Sequence, residues 1–239
     1  MIQPGIYRMN FGGLTLAECW RFGGLLAFPI ALGLKLRRKA TDNCNWLPAH
    51  EAERDCAPEE LSLETREGLA PYVEELSRSG FQPGRYRKAV RCFIPSIVDS
   101  GAYVALHAEG VRAAFVACCY TRIVRGEYRH EREVVSLSTE VLTTDGHAVV
   151  VLNHKNYLDS GGLSRVIRLR GAPLARLLRR LEREQRNSVR AVRRFRDIGE
   201  FSAASHQIED AAWESRIARG LYQRVAPEEE SRILTRMTV

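Results

Sequence analysis

The chain of 239 residues lacks an apolar run long enough to cross a bilayer unaided. Its longest uncharged apolar stretch, Phe22 to Leu34, holds thirteen residues. As a helix these cover roughly 20 Å, against a hydrocarbon core of roughly 30 Å. An N-x-[ST] glycosylation acceptor is missing, and so are a G-x-S-x-G elbow, a Walker lysine and the spaced glycines of a dinucleotide-binding turn. Without them the usual sequence grounds for a hydrolase elbow or a nucleotide fold are gone. Close cysteine pairs for a zinc site are lacking too. Cys44, His50 and Cys56 are evenly spaced but have no fourth ligand beside them. The six cysteines (19, 44, 56, 92, 118 and 119) do not space like a disulfide framework. Cys118 and Cys119 are adjacent in a strand-like run and point to opposite faces. The set reads as reduced, buried small residues of a reducing compartment.

Charge of one sign is abundant. The formal net charge is +7, and it is clustered. Arg165 to Arg196 holds twelve arginines and two acids, Glu182 and Glu184, a surplus of ten that leaves the rest of the chain at −3. Such a cluster suits an anionic partner. Aromatics are scarce there, with Phe195 alone, so a base-stacking platform is not in sight.

The hydrophobic patterning predicts an α+β chain: an antiparallel five-stranded β-meander flanked by helices, an N-terminal apolar segment and Arg-rich C-terminal helices. Strand-like runs fall at 85–98, 102–108, 111–124, 128–143 and 148–153, separated by Glu109-Gly110, Arg125-Gly126 and Thr144-Asp145-Gly146-His147. Asp-Gly between two such runs signals a tight type I′ hairpin, and Pro95 marks an edge or bulge. A helix is expected over Glu59–Ser79, with Pro71 splitting off its first turn. Leu174, Leu177, Leu178 and Leu181 form an apolar helical stripe, with Arg176, Arg179, Arg180 and Arg183 at the other positions. Residues 11–39 are thus read as the apolar segment with its basic cluster, 40–58 as a linker, and 59–239 as the α+β domain. Its sheet falls at about 85–154 and its C-terminal helices at about 172–225.

Three readings compete for the apolar segment. Phe22, Leu25, Leu26, Phe28, Ile30, Leu32 and Leu34 could form a membrane anchor, either a transmembrane helix or an interfacial or re-entrant element. Lys35, Arg37, Arg38 and Lys39 would then mark the cytoplasmic side. The third reading packs the segment within the fold. A cleaved leader does not fit, because the positive cluster follows the apolar run.

Chemistry is harder to find. Ser160 in Asp159-Ser-Gly-Gly162, with His154 upstream, reads as a connection, and His107, His130, His147 and His154 read as solvent-facing strand positions. Glu140, between Thr139 and Val141, is the nearest case of an acid inside an apolar run, and strand alternation accounts for it. Neither a catalytic residue, a cofactor nor a metal is assigned. The favoured function is a non-enzymatic, membrane-associated binding protein whose main domain is cytoplasmic. Its basic residues Lys35, Arg37, Arg38, Lys39, Arg176, Arg179, Arg180, Arg183, Arg190, Arg193 and Arg194 would meet an anionic membrane surface or an acidic protein partner. The alternatives are a soluble nucleic-acid-binding protein using the 165–196 arginines, and an enzyme whose site is assembled from residues distant in sequence.

Overall fold

The computed structural model of the chain describes residues 2–91, 97–125, 128–154 and 158–237. The fold is α+β, but the sheet is larger than the five-stranded meander the sequence suggests. Seven strands form one sheet in the order β3 (Glu53–Cys56), β4 (Arg85–Ala89), β5 (Ile97–Leu106), β6 (Ala113–Arg125), β7 (Tyr128–Leu142), β8 (Ala148–Leu152) and β9 (Ser164–Arg168). All neighbours are antiparallel except the last pair, β8 and β9. A second sheet of three strands places β1 (Gly5–Asn10) between β10 (Tyr222–Arg224) and β2 (Ala40–Leu47). Residues 40–58, expected as a linker, therefore supply a strand to each sheet. The interruption expected at Pro95 lies outside the described residues.

The β7–β8 turn differs from the expected type I′ hairpin. Gly146 takes a positive φ of 76° while Asp145 does not. Residues 143–147 make a longer loop, in which the Thr143 hydroxyl accepts the His147 N–H at 3.1 Å. The helix over α2 (Leu63–Arg78) starts later than the sequence suggests and runs unbroken through Pro71. Its Ser62 N-cap accepts the Thr65 N–H, satisfying a first-turn donor.

Strand alternation divides the large sheet into two faces. Tyr103, Ala105, Ala114, Val116, Leu137, Val141 and Val151 face α2 and α3 (Leu174–Asn187), where Leu69, Leu76, Leu174, Leu177 and Leu181 complete the main core. The apolar stripe read from the α3 sequence is its buried side. On the opposite face, Val104, Leu106, Ala113, Leu142 and Ala148 meet Phe195 and the first turns of α4 (Ile198–Ala218), through Phe201 and Ala204. A third core joins the small sheet to α1 (Leu16–Leu36) and to Leu221 and Tyr222. A last helix, α5 (Pro227–Met237), follows β10.

The apolar segment is α1. Thr15 caps it, accepting the Glu18 N–H at 3.1 Å while Glu18 accepts the Thr15 N–H at 2.8 Å. Gly24 leaves helical geometry and bends the element. No helix among the described residues is long and apolar enough to cross a membrane, so the transmembrane helix expected here is corrected. The physical reason is that α1 is two short helical segments whose inner residues Cys19, Phe28, Ala31 and Leu34 belong to the core of the small sheet.

Candidate functional site

Helix α4 packs tightly on the large sheet only through its first turns. Further along, its sheet-facing stripe turns polar: Ser205, Glu209, Trp213 and Arg216 succeed one another at helical spacing. Polar side chains cannot close against the apolar strands, and a cavity of about 510 Å³ remains between them. Glu140 on β7, Val150 on β8 and Val166 on β9 form one cross-strand row on its sheet side. Phe115, Ser138 and Ser164 are further wall residues, and Arg87, Glu53 and His50 close the β3–β4 side. Phe115, Val150, Val166 and Ile208 are only partly covered, which leaves an apolar strip open to the cavity.

Glu140 is the deepest acid there, with only 8% of its surface exposed. Ser205 Oγ donates to Glu140 Oε2 at 3.0 Å. Burial pushes its carboxyl up to about 7; the Ser205 bond acts against the rise, and the negative charge of Glu209 adds to it. Near neutrality this group therefore exchanges its proton readily. Glu209 and Glu53 are hemmed in by protein, yet their side chains are wetted by the cavity. Both carboxyls are raised, first by desolvation, with the Trp213 indole N–H and then Arg216 acting against the rise at Glu209, and Arg87 against that at Glu53.

The cations are held in place from behind. Arg87 donates to Asp55 Oδ1 and, through Nη2, to Ser202 Oγ at 3.1 Å. Arg216 donates from Nε to the Asp159 carbonyl at 3.0 Å and lies 4.7 Å over the Trp213 ring. Desolvation lowers the Arg216 pKa; Tyr222 and Glu209 act against the fall, and nearby Arg219 adds to it. No described carboxylate forms an ion pair with Arg216, and the buried Trp213 Nε1–H is turned toward the Glu209 carboxylate without closing a well-aligned hydrogen bond. Arg216 is half-buried, so its remaining N–H groups face the cavity. At the rim, His206 stacks on His50 with ring centroids 4.6 Å apart. Burial, then the charges of His50 and Arg87, push His206 down to about 4. His50 Nδ1 lies 3.4 Å from Asp210 Oδ1.

The residues singled out from the sequence fall in several places. Ser160 lines the cavity, but its hydroxyl donates to the Ser164 carbonyl at 3.1 Å and accepts the Ser164 N–H at 3.0 Å, so it serves as a turn clasp. His107 lies edge-on to Phe81 beside Arg112, away from the cavity, and His147 sits in the β7–β8 turn beside Asp145. The His130 side chain lies outside the described residues. Among the described residues no group of three His, Cys, Asp or Glu side chains could hold a metal ion. Cys44 belongs to the small-sheet side and Cys56 to the main core, apart from His50. Glu140 was visible in the sequence, but alternation alone did not say that its face is the one α4 covers.

The arginines of 165–196 are partly spent within the fold. Arg180 and Arg165 meet buried Glu184 at 2.7 and 3.0 Å, and Arg190 meets Asp145 at 3.2 Å. Arg193 lies over the Phe195 ring. Arg176, Arg179, Arg183 and Arg194 are exposed. Of the anchor residues, Leu26 and Ile30 are exposed, whereas Phe28 and Leu34 pack on the small-sheet core. Lys35 is turned inward, its Nζ donating to the carbonyls of Gly12 and Leu14. The chain matches no protein-family model, no curated protein and no solved structure, so the geometry of its own residues must carry the functional reading.

Proposed function

We propose that this chain is an enzyme that takes a small polar molecule carrying an anionic group into the α4 cavity and moves a proton on it through Glu140. One observation carries the reading: a buried carboxyl poised at about 7 forms the floor of an open cavity that also presents cations and apolar surface. A general acid–base group works best when its pKa lies near the working pH, and perturbed carboxyls of this kind concentrate at functional sites. This preference reverses the non-enzymatic reading of the sequence, where Glu140 carried no chemistry.

The roles follow from position. Arg216, anchored through Nε and in no ion pair among the described residues, offers its remaining N–H groups to the anionic end of the ligand. Trp213 offers a ring edge on the same helix. Glu140 in its ionised form, its carboxylate steadied by the Ser205 hydroxyl, accepts a proton from the ligand; the negative charge passes to the ligand, and the protonated acid returns the proton at the end of the cycle. The partly covered Phe115, Val150 and Val166 exclude water from the reacting end.

The test has two arms. Side-chain ¹³C NMR of the Glu140 carboxyl should give a titration midpoint near 7; an ordinary carboxylate midpoint would remove the acid–base role. A panel of small carboxylates and phosphate esters is then screened for thermal stabilisation of the full chain. Stabilisation by one class, lost in Arg216→Met, is expected. No stabilisation by any member, with the cavity intact, overturns the ligand assignment. Equal binding by Glu140→Gln with no turnover by either protein would leave a receptor rather than an enzyme.

A further inference from the structure

Among the described residues, nothing covers the outer face of α1. After the bend at Gly24, Leu26, Pro29, Ile30, Gly33 and Leu36 repeat at i, i+3, i+4, i+7 and i+10 and so share one side. Leu26 is 92% exposed, Ile30 66% and Leu36 74%. A Cβ built on Gly33 would meet nothing within 4 Å. Before the bend, Leu16 and Trp20 are also exposed. Single exposed apolar residues are ordinary, but a continuous stripe on one helix marks an interaction surface.

The chemistry around the stripe has one sign. The only acid in α1, Glu18, is fully buried and held by Nη1 and Nη2 of Arg219 at 2.8 and 2.6 Å. Arg21 is engaged with Asp159. At the far end of the stripe Arg37, Arg38 and Lys39 are exposed, and no described carboxylate forms an ion pair with them. A second copy of this chain, or another protein, would have to bring acids against these three cations and apolar side chains against Leu26 and Ile30. An anionic bilayer surface offers both at once, with acyl chains beneath a layer of phosphate.

We infer that the outer face of α1 lies in the interface of an anionic membrane, with Leu26, Ile30 and Leu36 entering the acyl boundary and Arg37, Arg38 and Lys39 among the headgroups. The helix lies on the membrane and does not cross it. Trp20 sits at the start of the same element, a position that suits its amphipathic ring at the headgroup level. Lys35 takes no part, because its ammonium is committed to the Gly12 and Leu14 carbonyls. This inference does not depend on the cavity: α1 supplies none of the residues that line it.

The experiment is co-sedimentation of the full chain with vesicles of phosphatidylcholine alone and of phosphatidylcholine mixed with phosphatidylglycerol. Binding is expected to the mixed vesicles only, and to weaken as salt is raised. Arg37→Gln with Lys39→Gln should weaken it by roughly 25-fold, about fivefold per charge. Leu26→Ser with Ile30→Ser removes exposed side chains, so the fold should survive, as checked by an unchanged circular dichroism spectrum. That variant should lose vesicle binding. Failure of the full chain to sediment with mixed vesicles at low salt overturns the inference. So does unaltered binding by the Leu26/Ile30 variant. Self-association of the full chain without lipid, abolished by the same two substitutions, would assign the face to a second copy instead and equally overturn it.

Discussion

Replacing Glu140 by glutamine should make the protein more stable at alkaline pH, and the size of the gain can be worked out. The carboxyl is raised from an ordinary 4.5 to about 7 because folding strips it of water. Between those values the folded chain keeps a proton that the unfolded chain has released. Stability contributed at this site is therefore greatest below about 4.5, falls as pH rises through the window, and reaches its lowest level above about 7. A shift of that size corresponds to about 3 kcal/mol. Glutamine keeps the shape and can accept the Ser205 hydroxyl but never ionises. Wild type and Glu140→Gln should accordingly have similar stability near pH 4.5 and differ by about 3 kcal/mol at pH 8, in favour of the variant. In a chain of this length that is about 6–12 °C of melting temperature. Urea unfolding at the two pH values measures it directly. Since Glu53 and Glu209 titrate in both proteins, the difference isolates Glu140. A stability difference that does not change with pH would refute the assignment of a raised carboxyl at the cavity floor.

Other outcomes follow from the same geometry. The His206 ring should titrate near 4 by NMR instead of near 6.5. Because its folded pKa is depressed, its contribution to stability should be lost as pH falls through that window and largely spared in His206→Asn. Ser205→Ala removes the one hydrogen bond that opposes the rise at Glu140, so the carboxyl midpoint should move further up in the same ¹³C titration. Glu18→Ala strands the Arg219 guanidinium in the seam between α1 and α4 and should destabilise by about 3–5 kcal/mol in urea unfolding. Gly13→Ala would put a Cβ 2.2 Å from the Leu221 backbone nitrogen. It should disrupt the small sheet, read as loss of the near-ultraviolet signal of Trp213 and Tyr222.

What the sequence disclosed was set by how local each cause is. The strands from 102 to 152 and the α3 leucine stripe follow from periodicity within one element, and the structure has them. β3 reads Glu-Arg-Asp-Cys and β10 is three residues long; neither carries an apolar alternation, and each forms only because a distant neighbour offers a free edge. β9 pairs in parallel with β8 across a connection of eleven residues, a choice nothing in Ser164–Arg168 announces. The cavity was illegible for a related reason. Ser205, Glu209 and Arg216 look like the solvent side of a helix until Glu140 is known to face them. The thirteen uncharged residues of 22–34 gave the opposite error. Their composition suits a membrane, but Gly24 divides them, and their inner side chains serve the small sheet.

The pairing of β1 with β10 also sets an order on biosynthesis. Arg8 and Glu229, joined at 2.5 Å, stand 221 positions apart. The large sheet draws only on residues 53–168, so it can assemble while Leu221 and Tyr222 are still inside the ribosome. Until they emerge, Leu14, Cys19 and the inner side of α1 are met only by Ile2, Tyr7, Phe11 and Leu47 of their core. A nascent chain would thus leave that side of α1 incompletely closed for the whole time that the α4 segment is being made. Chaperones, or a membrane, would meet that helix well before its own fold does.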